Sequence, residues 1–144
     1  MATARDSVNY AAIFTNKYVA DSRKIGGRVV PLPFEVTIVS AAATNDTYNL
    51  TVIPANARVI GLECTTNGLG ASAGAGRTFQ IGDSGDDDRY MVATDFDVTG
   101  AAGTLAIAGA GYTPTADTIV VGKCVNAPTV GQVVKGVIYI IPGV

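Results

Sequence analysis

Residues 47–66 read TYNLTVIPANARVIGLECTT. Tyr48, Leu50 and Val52 alternate with Asn49 and Thr51, the period of a strand with one face against a core. Pro54-Ala55-Asn56-Ala57 then has turn chemistry, after which Ile60, Leu62 and Cys64 alternate with Gly61 and Glu63. Two short strands joined by a tight turn set the pattern sought in the rest of the chain.

Outward from these two strands the same grammar recurs. Upstream, Pro31 and Pro33 hold the chain extended and mark a strand edge, because proline cannot donate to a ladder. Phe34, Val36 and Ile38 then alternate with Glu35 and Thr37, and Asn45-Asp46 signals the next turn. Downstream, residues 67–76 read NGLGASAGAG, expected to be a flexible hairpin loop, and Phe79 and Ile81 alternate with Thr78 and Gln80. Residues 82–88 are expected to form an acidic turn, with a strand from Tyr90 to Ala93. Residues 98–116 carry no charge and four glycines, predicting a long loop with one weak strand at Leu105-Ala106-Ile107. Ile119–Cys124 predicts a strong strand. Val130–Ile141 predicts another, placed centrally because Gln132, Lys135 and Tyr139 are its only large polar side chains.

Seven or eight strands with turns about every ten residues, and no core helix, predict an all-β fold. The architecture expected is a β-sandwich of jelly-roll type spanning 29–144, preceded by an N-terminal extended arm at 1–28. A chain of 144 residues suits one domain and needs neither a metal nor a disulfide framework to fold. The two cysteines, Cys64 and Cys124, sit in apolar strand contexts and are expected to be buried free thiols.

Charge narrows the function. Charged residues are 15 % of the chain, below the usual share of about 25 %, and 48 % of residues are hydrophobic. Surface with so little charge is expected to be covered by partners. Residues 1–28 carry Arg5, Lys17, Arg23, Lys24 and Arg28 against Asp6 and Asp21, a balance of +3. The remainder carries five basic and ten acidic residues, a balance of −5. The five leading cations are the candidate partner-binding residues. They are too sparse for a nucleic-acid tail and suit an acidic protein surface. No nucleic acid or membrane partner is expected: no apolar run approaches the ~20 residues of a bilayer span. The start of the chain lacks a signal-peptide pattern, so synthesis in the cytoplasm is expected.

Chemical motifs are weak. Gly82-Asp83-Ser84-Gly85 spells a serine-protease signature, but the chain contains no His to act as base. A tight turn is the expected role. Ala71–Thr78 loosely follows a phosphate-binding loop, with Arg77 in place of the lysine, and leads into a strand where that motif opens a helix. Asp83, Asp86, Asp87, Asp88, Asp95 and Asp97 crowd one stretch without the spacing of a calcium loop. Solvated acid is the reading preferred over a calcium site, with Asp88 neutralised by the adjacent Arg89. Neither catalytic residues, a cofactor nor a metal is predicted.

Three stretches carry a resemblance. They are the Ile53–Ile60 turn-to-strand step (IPANARVI), the turn IGDSGDDDRY at 81–90, and the closing strand TVGQVVKGVIYII at 129–141. Over residues 29–144 the chain resembles small virion proteins encoded beside the major capsid protein of tailed bacteriophages. That resemblance implies a head decoration (cement) protein, a homotrimer on the capsid surface that bridges neighbouring major capsid proteins. A head fibre or tail-associated adhesin domain is the alternative, with loops 67–76 and 98–116 as its contact surfaces.

Overall fold

The computed structural model describes residues 4–6 by their backbone, and 28–38, 45–67, 78–96, 102–125 and 131–143 in full. These form nine strands: β1 (Ala4–Asp6), β2 (Val30–Thr37), β3 (Thr47–Ile53), β4 (Arg58–Thr66), β5 (Thr78–Asp83), β6 (Asp86–Asp95), β7 (Ala102–Thr104), β8 (Thr118–Cys124) and β9 (Val133–Ile141). No helix occurs among the described residues.

The pairing follows one rule. At the centre β5 pairs antiparallel with β6 across the two-residue turn Ser84-Gly85, and outward from there β4 pairs with β7, β3 with β8 and β2 with β9. The chain is thus one long hairpin of four strands against four. Alternate pairs go to alternate sheets, giving the orders β2-β9-β4-β7 and β3-β8-β5-β6, the latter extended by β1 lying parallel beside β3. This is the jelly-roll sandwich expected. The long strand β9 is inner, between β2 and β4, as its apolar run predicted. The strands flanking 67–76, β4 and β5, are not the hairpin expected but lie in different sheets, because each finds its partner farther along the chain; residues 7–27, most of the expected arm, and loop 68–77 lie outside the described residues.

The core lies between the sheets. β2 contributes Leu32, Phe34 and Val36, β9 Val134, Ile138 and Ile140, and the opposing sheet Tyr48, Leu50, Phe79, Ile81, Tyr90 and Met91, all at most 4 % exposed. Gly122 and Gly136 stand at inward positions where a Cβ would collide with the Phe79 and Phe34 rings, so they serve as berths for aromatics. Phe79 stacks on Phe96 with centroids 6.2 Å apart. Cys64 and Cys124 are buried thiols outside any disulfide, as expected, and burial pushes the Cys64 thiol up to about 12.

Three expectations need correction. The register of β4 on β9 shifts between Val59 and Gly61, so strict alternation fails: Val59 is buried and Ile60 is 40 % exposed. A similar shift after Asn49 turns Thr51 inward, fully buried with an unpartnered hydroxyl. One extra residue in a strand inverts the phase of all that follow. The weak strand is Ala102–Thr104, and not Leu105–Ile107, which enters a turn where Ile107 is 95 % exposed.

The sheet edges are blunted. β2 carries Pro31 and Pro33, two residues apart, so both missing donors fall on one side of the strand. β7 has three residues, and β6 is irregular where it pairs with β5 and carries three consecutive aspartates. The fourth edge strand, β1, has three residues and lies beside β3. Such edges resist further strand addition.

Candidate interaction surfaces

The turn at the tip of the long hairpin is built around Asp83, whose side chain is 4 % exposed. Its Oδ1 accepts from the backbone N–H of Gly85 (2.9 Å) and Asp86 (3.2 Å), closing an Asx-type turn. Its Oδ2 accepts from Arg89 Nε (2.8 Å) and the Tyr90 hydroxyl (2.9 Å). Four donors satisfy a buried carboxylate that would otherwise be costly. Gly82 precedes it because a Cβ there would strike the backbone of Asp86 and Asp87. The Arg89 guanidinium lies 4.2 Å over the Tyr112 ring, which meets Tyr90 edge-on at 6.1 Å. Burial, reinforced by Asp83, pushes the Tyr90 hydroxyl far above its ordinary value. The sequence reading paired Arg89 with Asp88; the structure corrects this to Asp83, because the turn folds β5 back on β6 and brings the Asp83 carboxylate 2.8 Å from Arg89 Nε.

The acidic run is not a turn. Only Ser84-Gly85 turns, and Asp86–Asp88 begin β6. The oxygens of Asp86, Asp87 and Asp88 approach within 4.8 Å of one another on half-buried or exposed side chains. Asp87 is taken by Lys123 (2.7 Å), whose hydrogen bond holds its carboxyl below the ordinary range. Asp88 is raised, first by its hydrogen bond with Asp86 and then by burial and the charges of Asp86 and Asp87. Asp86, Asp87 and Asp88 are thus half-buried or exposed along edge strand β6, whereas Asp83, grouped with them in the sequence, is buried.

Two shallow recesses lie on outer faces. One, of about 340 Å³, is lined by Asn45, Thr47, Asp83, Ser84, Asp87 and Lys123. It holds the serine of the protease-like motif, but Lys123 Nζ is engaged by Asp87. The other, of about 360 Å³, lies across β9, β4 and β7, with Glu63, Thr65, Ala102, Thr104 and Lys135 on its walls. Glu63 there accepts from the Tyr139 hydroxyl at 3.0 Å.

Segment 102–112 is tied down by its backbone. Ala106 N–H donates to Tyr90 O (2.8 Å), Ala110 N–H to Ala106 O and Ile107 O (3.2 Å each), Gly111 N–H to Val59 O (2.8 Å) and Val59 N–H to Tyr112 O (2.9 Å). Gly111 takes φ +79°, in the left-handed region glycine favours. Leu105 and Tyr112 pack against the core, whereas Ile107 projects into solvent.

The predicted partner-binding cations are not gathered by the described structure. Arg5 falls in β1 opposite Tyr48, at the margin of one sheet, and Arg28 is exposed just before β2, at the margin of the other. Lys17, Arg23 and Lys24 lie outside the described residues. What the sequence reading missed was Ile107: hidden in an apolar run assigned to a weak strand, it had no local signal of exposure.

No protein-family model and no curated protein matches the chain. Solved structures do. It is similar to a chain in the capsid of Ralstonia phage GP4, with TM-score 0.70 and 18 % identity over 84 % of this chain and 88 % of that one. It is similar to a chain of the cyanophage Pam1 capsid asymmetric unit, with TM-score 0.66 and 27 % identity over 82 % and 88 %. A chain in the acidic stable capsid structure of Helicobacter pylori bacteriophage KHP30 gives TM-score 0.62 and 21 % identity over 83 % and 92 %. The jelly roll built here is therefore a fold also found in chains of phage capsid structures.

Proposed function

We propose that this protein is a structural component of a phage virion, a capsid decoration (cement) protein that binds the outside of the assembled head as a homotrimer. It stabilises contacts between neighbouring major capsid proteins there. The observation that carries the reading is agreement in size as well as fold. The aligned region is 82–84 % of this chain and 88–92 % of its structural neighbours, so those chains are slightly shorter than its 144 residues. Each is a jelly roll with little besides, which suits a small companion of the shell.

The mechanism is mechanical. A specific interface buries about 1,600 Å² in total, and repetition over a lattice multiplies a modest gain per contact. The low charge and blunted edges support a protein that adheres through faces and loops. Arg5, Lys17, Arg23, Lys24 and Arg28 are the proposed contacts to acidic surface on the shell or on a neighbouring copy.

The test uses heads of the encoding phage assembled without this protein. Added protein should co-sediment with assembled heads but not with free capsid monomers, and should raise the temperature at which heads release DNA. Failure to bind heads, or binding to host cells instead, overturns the proposal; the second result would favour the fibre or adhesin alternative.

A further inference from the structure

We propose that Asn67 is a site of spontaneous self-modification, an amide that the chain converts to a carboxylate, and that its hydrogen bonds to the start of β9 hold the reaction in check. The inference is independent of the capsid reading, because it needs only the folded chain and water.

The chain has seven asparagines, and Asn67 alone is followed by glycine. The chemistry is attack by the next residue's backbone nitrogen on the asparagine side-chain carbonyl carbon. A C–N bond forms and closes a five-membered imide. Solvent base takes the N–H proton, and the side-chain nitrogen gains a proton and leaves as ammonia. Water then opens the imide at either carbonyl. One product is aspartate; the other is isoaspartate, in which the main chain runs through the side-chain carbon. No oxidant, reductant or cofactor is required. A following glycine favours the first step, since no Cβ crowds its nitrogen and its backbone turns freely.

Asn67 follows directly on β4 and is exposed to the water the reaction uses. Its side chain is nevertheless held. Oδ1 accepts from the Val133 backbone N–H (2.9 Å), and Nδ2 donates to the Gly131 carbonyl (3.4 Å). The Asn67 backbone N–H donates to Val133 O (3.2 Å). These bonds carry the β4–β9 ladder one step beyond Thr66 and Val134. Bringing the amide carbon to the next backbone nitrogen means rotating the side chain out of two of them. The clamp must open first, so the folded chain reacts through its locally open fraction.

The product cannot close the clamp as before. A carboxylate still accepts from Val133, but it has no proton for Gly131 O, and two acceptors then face each other. Isoaspartate also lengthens the main chain by one atom and shifts position 67 out of register with Val133. Gln132 lies between the two clamped residues of β9's approach. It is buried, and its amide donates to the Thr66 hydroxyl (3.3 Å) and to Phe96 O (3.0 Å). Modification at the exposed Asn67 therefore loosens a buried polar bridge between β4 and the end of β6.

The experiment incubates the full chain at mildly alkaline pH, folded and in urea, and follows conversion by peptide mass mapping and an isoaspartate-specific methyltransferase. In urea, Asn67 should convert faster than any other asparagine. In the folded protein it should convert at least about tenfold more slowly, as for a site open a tenth of the time or less. Gly131→Ala keeps the Asn-Gly pair but strains a backbone at φ +85°, and should speed conversion in the folded state about fivefold or more. The converted protein, separated by its added negative charge, should melt below the unconverted one. Another asparagine leading in urea overturns the proposal, as does equal conversion of Asn67 in folded and unfolded chains. An unchanged rate in a folded Gly131→Ala protein overturns the clamp. Should that variant fail to fold, the wild-type comparison between folded and urea-treated chains decides alone.

Discussion

The Asp83 turn and the 102–112 segment lie against each other and treat solvent in opposite ways. At the turn, Asp83, Arg89 and the Tyr90 hydroxyl are spent on one another. In the segment, the backbone is equally well satisfied, but Ile107 is left uncovered. The two meet where Arg89 covers Tyr112 and where Ala106 bonds to Tyr90. A polar cluster closed on itself makes a rigid platform with little left to offer a partner. In the segment, one apolar side chain is left in water on a hydrogen-bonded backbone. The motif most eye-catching in the sequence, GDSG with its trailing aspartates, is built into the turn itself, and the bland LAIAGAG run is where an apolar side chain stands in solvent.

Breaking the platform should have the largest effect. Asp83→Ala leaves Arg89 and the Tyr90 hydroxyl without their acceptor and should cost about 3–5 kcal/mol in urea unfolding. If the loss were below about 1 kcal/mol, the turn would not be the platform described. Gly82→Ala should cost about 1–3 kcal/mol, because the intruding Cβ meets backbone that cannot rotate away.

Alkaline titration sharpens the same contrast. Cys64 and Tyr90 both hold their protons more tightly folded than unfolded. Their stabilisation is complete at neutral pH. It should decline above roughly pH 9, as the unfolded chain begins to release protons that the fold retains. Urea titrations from pH 7 to 11 would read this, and stability that rose over that range would contradict it. Lys123→Ala removes an ion pair whose Asp87 partner is 59 % exposed, so the loss should be at most about 1 kcal/mol and smaller in high salt. Smallest of all, Ile107→Glu should change stability by no more than about 0.5 kcal/mol, since the side chain touches little within its own copy. Were that variant to unfold, Ile107 would belong to the core and the contrast would disappear.

Much of the fold was legible because its signals are local. Alternation along 34–38, turn chemistry at Pro54–Ala57, and prolines at 31 and 33 each needed only a few neighbouring residues. The turn appears as read, with Ala57 N–H bonding to Pro54 O at 3.1 Å and Asn56 in the left-handed region at φ +62°. The bulges were not legible. Nothing adjacent to Ile60 or Thr51 says that a distant strand will offer one residue against two. Ala102-Gly103-Thr104 has little strand propensity of its own and is drafted by pairing with Glu63–Thr65 of β4. Arg89 bonds Asp83 and not its neighbour Asp88 for a reason visible only once the Ser84-Gly85 turn folds β5 back on β6.

The amino-acid sequence alone determined that this chain is all-β, where most of its strands and turns fall, that its cysteines are buried, and that its charge is sparse. Those properties follow from side-chain alternation, backbone preferences and composition, which act over a few residues. The tertiary structure alone decided which strands share a sheet, where register slips, which acid holds Arg89, and that Ile107 faces outward while Leu105 packs in. Those outcomes depend on how residues far apart in the chain are brought together when one long hairpin rolls into two sheets, a condition that no local window of sequence contains.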